Sequence, residues 1–364
     1  MALELPTVLI IPSGIGCSLG GYAGDAIPAA RLLAAASGCL ITHPNVMNGA
    51  SLYWSDPRVH YVEGYGLDHF LTGEFLLRPV RMQQVGLLLD AGLDKELRER
   101  HLQVAAACKA SLGLNIGPVV TTEVPLEIQL HKASSGSSWG ELATADALLK
   151  AGKELQDAGA TAIAVVTRFP DVVEQGLLDA YLRGEGIDIF AGAEAIISHL
   201  LTRFLSLPCA HAPALSLLPL QEVIDPRSAA EELGHTFLPC VLVGLSRAPD
   251  LVKQQKEDLP SSFKAHEFLS VAEVGALVAP EGALGSEAVL ACLERNIPLI
   301  VVSNKNVLNV SSQTLELKGG QFNDKNQVLY ARNYVEAAGL ILALRDGINI
   351  DSLYRPMPNI LQIS

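Results

Sequence analysis

The chain has 364 residues, of which 49 % are hydrophobic, 18 % charged and only 5 % aromatic, with 31 glycines. That length is the expectation for two domains or one large α/β domain with insertions, and the apolar fraction excludes a disordered or low-complexity chain. A formal charge of −13 with no basic run excludes a nucleic-acid groove or an anionic membrane surface as partner.

The first six residues carry no basic segment, and the apolar run at 7–11 is too short for a signal core. No window offers the ~20 apolar residues that a membrane span needs. Cys17, Cys39, Cys108, Cys209, Cys240 and Cys292 show no CxxC spacing, so reduced thiols in a cytoplasmic compartment are expected.

In chain order, the apolar run at 7–11 predicts a strand, 25–36 a helix and 39–42 a strand. Next come a strand at 85–89, a helix at 94–110 and an extended piece at 119–124. Leu142, Ala145, Leu148, Leu149 and Leu155 recur at helical spacing, so 141–158 reads as a helix that Gly159 stops. A strand at 161–166 and an apolar helix at 191–204 follow. The later strands are 240–245, 276–279 and 299–302, with helices at 284–295 and 334–344. Five prolines among short apolar pieces make 213–250 a candidate linker, and 253–260 a polar surface loop. Strand–helix–strand order with right-handed crossovers implies an α/β fold with mainly parallel sheets flanked by helices.

A faint internal repeat sets units 1–120 and 251–364 alongside a middle unit, 121–250. VLIIPSGIGCSLGG before CLITHPNVMN matches GALVAPEGALGSE before LIVVSNKNVLN. Pro12 aligns with Pro280, Gly14 with Gly282, Asn45 with Asn306 and Asn48 with Asn309. Such turns would face one another across a shared cleft.

Five glycines in the eleven positions from Gly14 to Gly24 would bring backbone N–H groups close to an anion or carbonyl, or serve only as a tight turn. Ser13, Gly14, Gly16, Gly20 and Gly21 are the candidate binders there. Leu19 stands where a dinucleotide fingerprint needs its third glycine, and no Gly-Lys-Ser/Thr follows. After the next strand, His43, Asn45 and Asn48 occupy the carboxyl end, where open α/β sheets place ligands. His43 there is a candidate general base, and the two amides candidate binders.

The Gly/Ser loop from Lys132 to Glu141 either caps a helix or makes a Ser–Lys nucleophile pair, Lys132 with Ser138. Ser286 and Lys305 form a second such pair, in a C-terminal turn whose Glu281, Gly282, Asn304 and Asn306 are binding candidates. Arg168, beside Asp171, suits bidentate carboxylate or phosphate recognition. Asp188, Glu194, His199, Cys209 and His211 invite a metal reading. Glu194 and His199 are five apart and so off one helical face, and no HExxH or CxxC spacing supports zinc. A partly buried His/Glu patch that binds substrate through Glu194 and His211, with His199 moving a proton, is the expectation instead.

Together IPSGIGCSLGGYAGDA, THPNVMNGASLYW, VVTRFPD, GAEAIISH with PCAHAPA, and APEGALGSEAV resemble, over nearly the whole chain, an uncharacterised domain-of-unknown-function family (family 3326) of cyanobacteria and plastids. The resemblance implies a soluble cyanobacterial or stromal protein and supplies no residues of known role. From the polar clusters at strand ends, the chain is expected to be a hydrolase or lyase of amide or carbonyl chemistry on a small polar or anionic metabolite. A non-catalytic metabolite-binding protein and a transferase on a phosphorylated or nucleotide substrate are the alternatives. No cofactor is named by the sequence, and the apolar composition favours a homo-oligomer.

Overall fold

Short aliphatic runs without charge can lie side by side in a sheet only if helices cover both faces, and the structure meets that requirement twice. The computed structural model describes residues 4–357 apart from 13, 15–16, 21, 23, 49–55, 135–136, 172–174, 186–187, 217–223, 233–236, 255–266, 306–307 and 318–327. Its strands are β1 (Thr7–Leu9), β2 (Leu40–Thr42), β3 (Val59–Tyr61), β4 (Phe75–Arg78), β5 (Val85–Leu89), β6 (Ile116–Thr121) and β7 (Ile128–Lys132). Then come β8 (Ser138–Leu142), β9 (Ala162–Arg168), β10 (Cys209–Ala214), β11 (Asp250–Lys253), β12 (Ala276–Pro280), β13 (Leu299–Val302) and β14 (Val328–Ala331). The helices are α1 (Ile27–Ser37), α2 (Pro44–Met47), α3 (Gly64–Leu71), α4 (Lys95–Leu112), α5 (Ala145–Asp157) and α6 (Gln175–Leu182). After them lie α7 (Ala191–Leu205), α8 (Pro226–Glu232), α9 (Phe237–Leu245), α10 (Glu287–Glu294) and α11 (Tyr334–Arg345).

The larger sheet is parallel throughout, in the order β14-β13-β12-β1-β2-β3. The two segments that resemble each other in sequence therefore make its two halves, with β1 and β12 adjacent at the centre, Thr7 opposite Ala276. Because the strand order runs outward in both directions from that seam, right-handed crossovers put α1 on one face and α10 on the other. α1 and α11 pack over one face, and α3 and α10 over the opposite one. The second sheet, β10-β9-β5-β6, is also parallel and belongs to the segment inserted between the halves. Between them in the chain, β4 pairs antiparallel with β11 in a two-stranded sheet of its own, and the division expected at 120 falls within β6.

Caps set the helix ends where the sequence offers them. The Asp94 carboxylate accepts the Leu97 N–H at 2.8 Å to start α4, and Gly113, at φ +68°, ends it. Three local expectations are corrected. Residues 240–245 form no strand; they lie in α9, whose Leu238, Cys240, Val241, Leu242 and Leu245 are all buried, and a helix apolar on every side has the pattern of a buried strand. The linker expected at 213–250 accordingly holds the end of β10, α8 and α9, and α9 packs in the core between the two sheets. The Lys132 loop is the antiparallel hairpin β7–β8, so the helix expected from 141 starts only at Ala145. Most of 253–260 lies outside the described residues.

Candidate functional site

The carboxyl ends of both sheets open on one cavity of about 290 Å³. From the larger sheet, Ile10 and Pro12 follow β1, His43, Pro44, Asn45 and Asn48 follow β2, and Glu63, Gly64 and Asp68 follow β3. Ser286, at the head of α10, completes that side. The opposite wall is His211 and Pro213 of β10, Asp188, and α7, which reaches the cavity with both Glu194 and His199 although they are five residues apart, and with Ser198 between them. Three histidines and four carboxylates thus share one small space. Among the described lining residues there is no Lys or Arg.

His43 is held by its first nitrogen. Its Nε2 accepts the Ile11 N–H at 3.1 Å, which leaves the hydrogen of the neutral ring on Nδ1. Burial, with His199 nearby, pushes its pKa down to about 4. The expected role of His43 as base is therefore corrected: the Nε2 lone pair is spent, and the ring is a neutral donor through Nδ1.

His199 is in the opposite state. Burial works against its charge, but the Glu63 carboxylate at 2.9 Å and the charge of Asp68 outweigh it and hold its pKa above the ordinary imidazole value. Glu63 is itself fixed as the N-cap of α3, where Oε2 accepts the N–H groups of Tyr65 at 2.9 Å and Gly66 at 3.4 Å. Gly64 lets the ring approach, since a Cβ there would stand 2.7 Å from His199 Nε2. Asp68 accepts the Ala288 N–H at 3.2 Å, and burial, aided by Glu287, raises it to about 6.

The far wall is less satisfied. Burial raises Glu194 to about 7, and burial together with the Glu194 charge raises Asp188 as well. Asp188 Oδ1 accepts the Phe190 N–H at 2.9 Å. His211 is 5 % exposed, its Nε2 bonded to the Thr167 hydroxyl, and burial drives its pKa down to about 3. Its Nδ1 has no hydrogen-bond partner and stands 3.7 Å from Glu194 Oε1, beyond bonding distance. Two carboxyl groups raised toward neutrality can hold one proton between them, so one can accept while the other donates.

The other expected residues are placed as follows. Gly14 accepts the Ser138 N–H through its carbonyl, at 2.9 Å. Gly20, at φ +81°, donates its N–H to Asp25 at 2.5 Å, so a carboxylate of the chain already takes the place an anion would fill. Asn45 lines the cavity but spends its amide on the Ile11 and Gly20 carbonyls, at 3.4 and 3.0 Å, and Asn48 accepts the Tyr61 hydroxyl at 2.9 Å. Ser13, Gly16, Gly21 and Asn306 lie outside the described residues.

Neither Ser–Lys pair forms an activated nucleophile. Lys132 stands opposite Ser138 in the hairpin but is exposed, and the Ser138 hydroxyl donates to the Asp188 carbonyl at 2.9 Å. Ser286 caps α10 through the Val289 N–H at 3.3 Å, while Lys305 is exposed and outside the lining residues. Arg168 does not reach the cavity; it is clamped to Asp171, which it holds down to about 2. Asn304 accepts the Ser18 N–H at 3.0 Å, joining the turns after β1 and β13. Glu281 accepts the Ser312 N–H and hydroxyl at 3.1 and 2.9 Å and lines a separate hollow beside β14, and Gly282, at φ +89°, makes the adjacent turn. The described residues hold no cluster of three His, Cys, Asp or Glu side chains fit for a metal.

Residues 6–354 match the family described as Protein of unknown function (DUF3326). The chain belongs to the DUF3326 family. Among the relatives of this DUF3326 protein, a Synechococcus protein named an uncharacterized lipoprotein is 48 % identical over 347 residues, covering 95 % of this chain and 92 % of the relative. The expectation of a cytoplasmic or stromal protein is overturned by that relative, whose name places it among lipid-modified proteins. No helix among the described residues is long and apolar enough to cross a membrane.

Sequence reasoning named His43, Glu194, His199 and His211 but missed Glu63 and Asp68. A signal existed for Glu63 alone, which precedes the helical GYGLDHFL segment as an N-cap does, but the strand and helix around it were not among the elements expected.

Proposed function

We propose that this DUF3326 protein is a hydrolase or lyase that performs general acid–base chemistry on an amide or carbonyl group of a small polar molecule. The observation that carries the reading is the grouping in one cavity of Glu194 and Asp188, both raised toward neutrality, the unbonded His211 Nδ1, and His199 held by Glu63 from the other side. In hydrolysis, one oxygen of the Glu194 carboxylate, the one turned from His211, takes a proton from water as the water oxygen attacks the carbonyl carbon. The neutral His43 donates Nδ1–H to the developing oxyanion. His199, charged and oriented by Glu63, gives its proton to the leaving nitrogen as the C–N bond breaks. The volume, at the lower end for ligand sites, favours a small substrate. A phosphorylated or nucleotide substrate finds no Lys or Arg among the described lining residues, so the transferase alternative loses its support.

The test is a panel of small amides and carbonyl compounds incubated with the protein and read by mass spectrometry. Glu194→Gln is expected to cut kcat/KM by ~10²–10⁴, the usual contribution of a general base, with Tm at neutral pH not lowered. Binding without turnover across the panel would move the chain to the binding-protein alternative.

A further inference from the structure

We infer that the substrate carries a positive charge: the cavity is built to take a small amine or guanidine, whose N–H groups are received by Glu194, Asp188 and the free nitrogen of His211. This rests on the reading of the cavity as the reaction site and names what enters it.

The first ground is charge. Glu63, Asp68, Asp188 and Glu194 line the space with no Lys or Arg among the described residues beside them, and the one charge of His199 is shared by Glu63 and Asp68. The carboxylates also differ in what they have left to offer. Glu63 is used up by His199 and the α3 N–H groups, and one oxygen of Asp68 is used by Ala288. Glu194 has no hydrogen-bond donor within reach among the described residues, and Asp188 accepts the backbone N–H groups of Phe190 and Ala191. The unspent acceptor capacity is therefore concentrated on one wall.

The second ground is independent of the carboxylates. His211 is 5 % exposed, lies on the cavity wall and has a buried Nδ1 with no partner. A buried ring nitrogen left unbonded is a cost that a ligand can remove. With the ring hydrogen of His211 on Nε2 and donated to the Thr167 hydroxyl, Nδ1 is an acceptor, and a nitrogen set about 2.9 Å from both it and Glu194 Oε1, which are 3.7 Å apart, would bridge them. An anion would meet Glu194 there and be repelled; a neutral amide would leave the pair's charge unmatched. The groups facing Glu194, Asp188 and His211 are His43, Glu63 and Asp68 from the larger sheet's side, His199 from α7 itself, Thr167 from β9 and the charge of Asp90 after β5. A cation is the ligand that changes their balance most. By favouring the ionised carboxylates, it should release a proton from Asp188 and Glu194, which burial holds toward neutrality.

The experiment uses the intact protein and four probes of one shape: butylguanidine, butylamine, butylurea and butyrate. Thermal shift and calorimetry at pH 7 are expected to give the two cations about tenfold or greater preference over butylurea, with butyrate weakest. Calorimetry in two buffers of different ionisation heat should show release of up to about one proton with the cations and none with butylurea. Glu194→Gln and Asp188→Asn should each weaken the cations and leave butylurea unchanged, but the four-probe ranking stands without any variant. Butylurea or butyrate binding as tightly as the cations, or no shift with any probe, overturns the inference. Cation binding with no turnover of any cationic amide would leave it standing and remove the reaction. Turnover of neutral amides with no preference for cations would do the reverse.

Discussion

The loop after β1 and the wall formed by α7 and β10 are both polar, both stand at the carboxyl ends of parallel strands, and both hold buried acids. They differ in what those groups have left to bond. In the loop, Asp25 accepts the Gly20 N–H at 2.5 Å and pairs with Arg227 Nε at 2.7 Å, whose guanidinium also lies 4.4 Å over the Tyr22 ring. Asn45 ties the loop down through two carbonyls. On the wall, His211 Nδ1 is unbonded and Glu194 stands 3.7 Å from it. Polarity at a strand end is therefore shared by structure and site; unspent hydrogen-bonding capacity in a cavity separates them.

The comparison breaks most visibly if the loop is cut. Asp25→Ala leaves Arg227 and the Gly20 N–H without their acceptor, and the Asp25 side chain is 6 % exposed. A loss of about 3 kcal/mol is expected in a denaturant titration, with binding of cavity ligands retained in the folded fraction. Stability that is unmoved would make the loop as unsatisfied as the wall.

The wall answers with the opposite sign. Glu194 has a folded pKa raised from 4.5 to about 7, so its contribution to stability is fully present below about pH 4.5 and is lost as pH rises through 7. Glu194→Gln is therefore expected to stabilise the protein at pH 8 relative to wild type, by about 1–2 kcal/mol, and to leave it nearly unchanged at pH 4. That range is below the full conversion because the side chain keeps 29 % of its exposure. Equal unfolding midpoints of variant and wild type at pH 8 would count against a strained wall.

Gly64→Ala sharpens the contrast within the cavity. The added methyl meets the end of the His199 side chain, which can swing away, so the fold should survive. The ring should then lose Glu63 and its titration, followed by NMR, should move down from its raised value. Arg168→Ala is the smallest effect. Its partner Asp171 is 43 % exposed, so about 1 kcal/mol of stability and no change in ligand binding are expected.

How much of this was open to sequence reasoning depends on how local the signal is. The strands at 85–89 and 299–302 coincide with β5 and β13, because an uninterrupted aliphatic run between polar turns leaves little choice. α9 misled because burial on every side erases helical period. The same limit governs the site. His43, Glu194, His199 and His211 could be picked out as polar residues near strand ends, but the meeting of Glu63 with His199 joins two elements from different sheets' surroundings. Arg168 looked like a ligand anchor because a guanidinium at a strand end is one, and only the fold shows Asp171 filling it.

The seam between β1 and β12 also bears on how the chain comes off the ribosome. β1 gains its first neighbour, β2, after some forty residues, but its other edge waits for Ala276–Pro280. The inserted sheet is complete at Ala214, long before that. A nascent or truncated chain that stops short of β12 therefore carries a finished inner unit beside an open β1, with a row of unpaired N–H and C=O groups that invites another chain. The final quarter of the polypeptide acts as the closure of a sheet begun by its first ten residues.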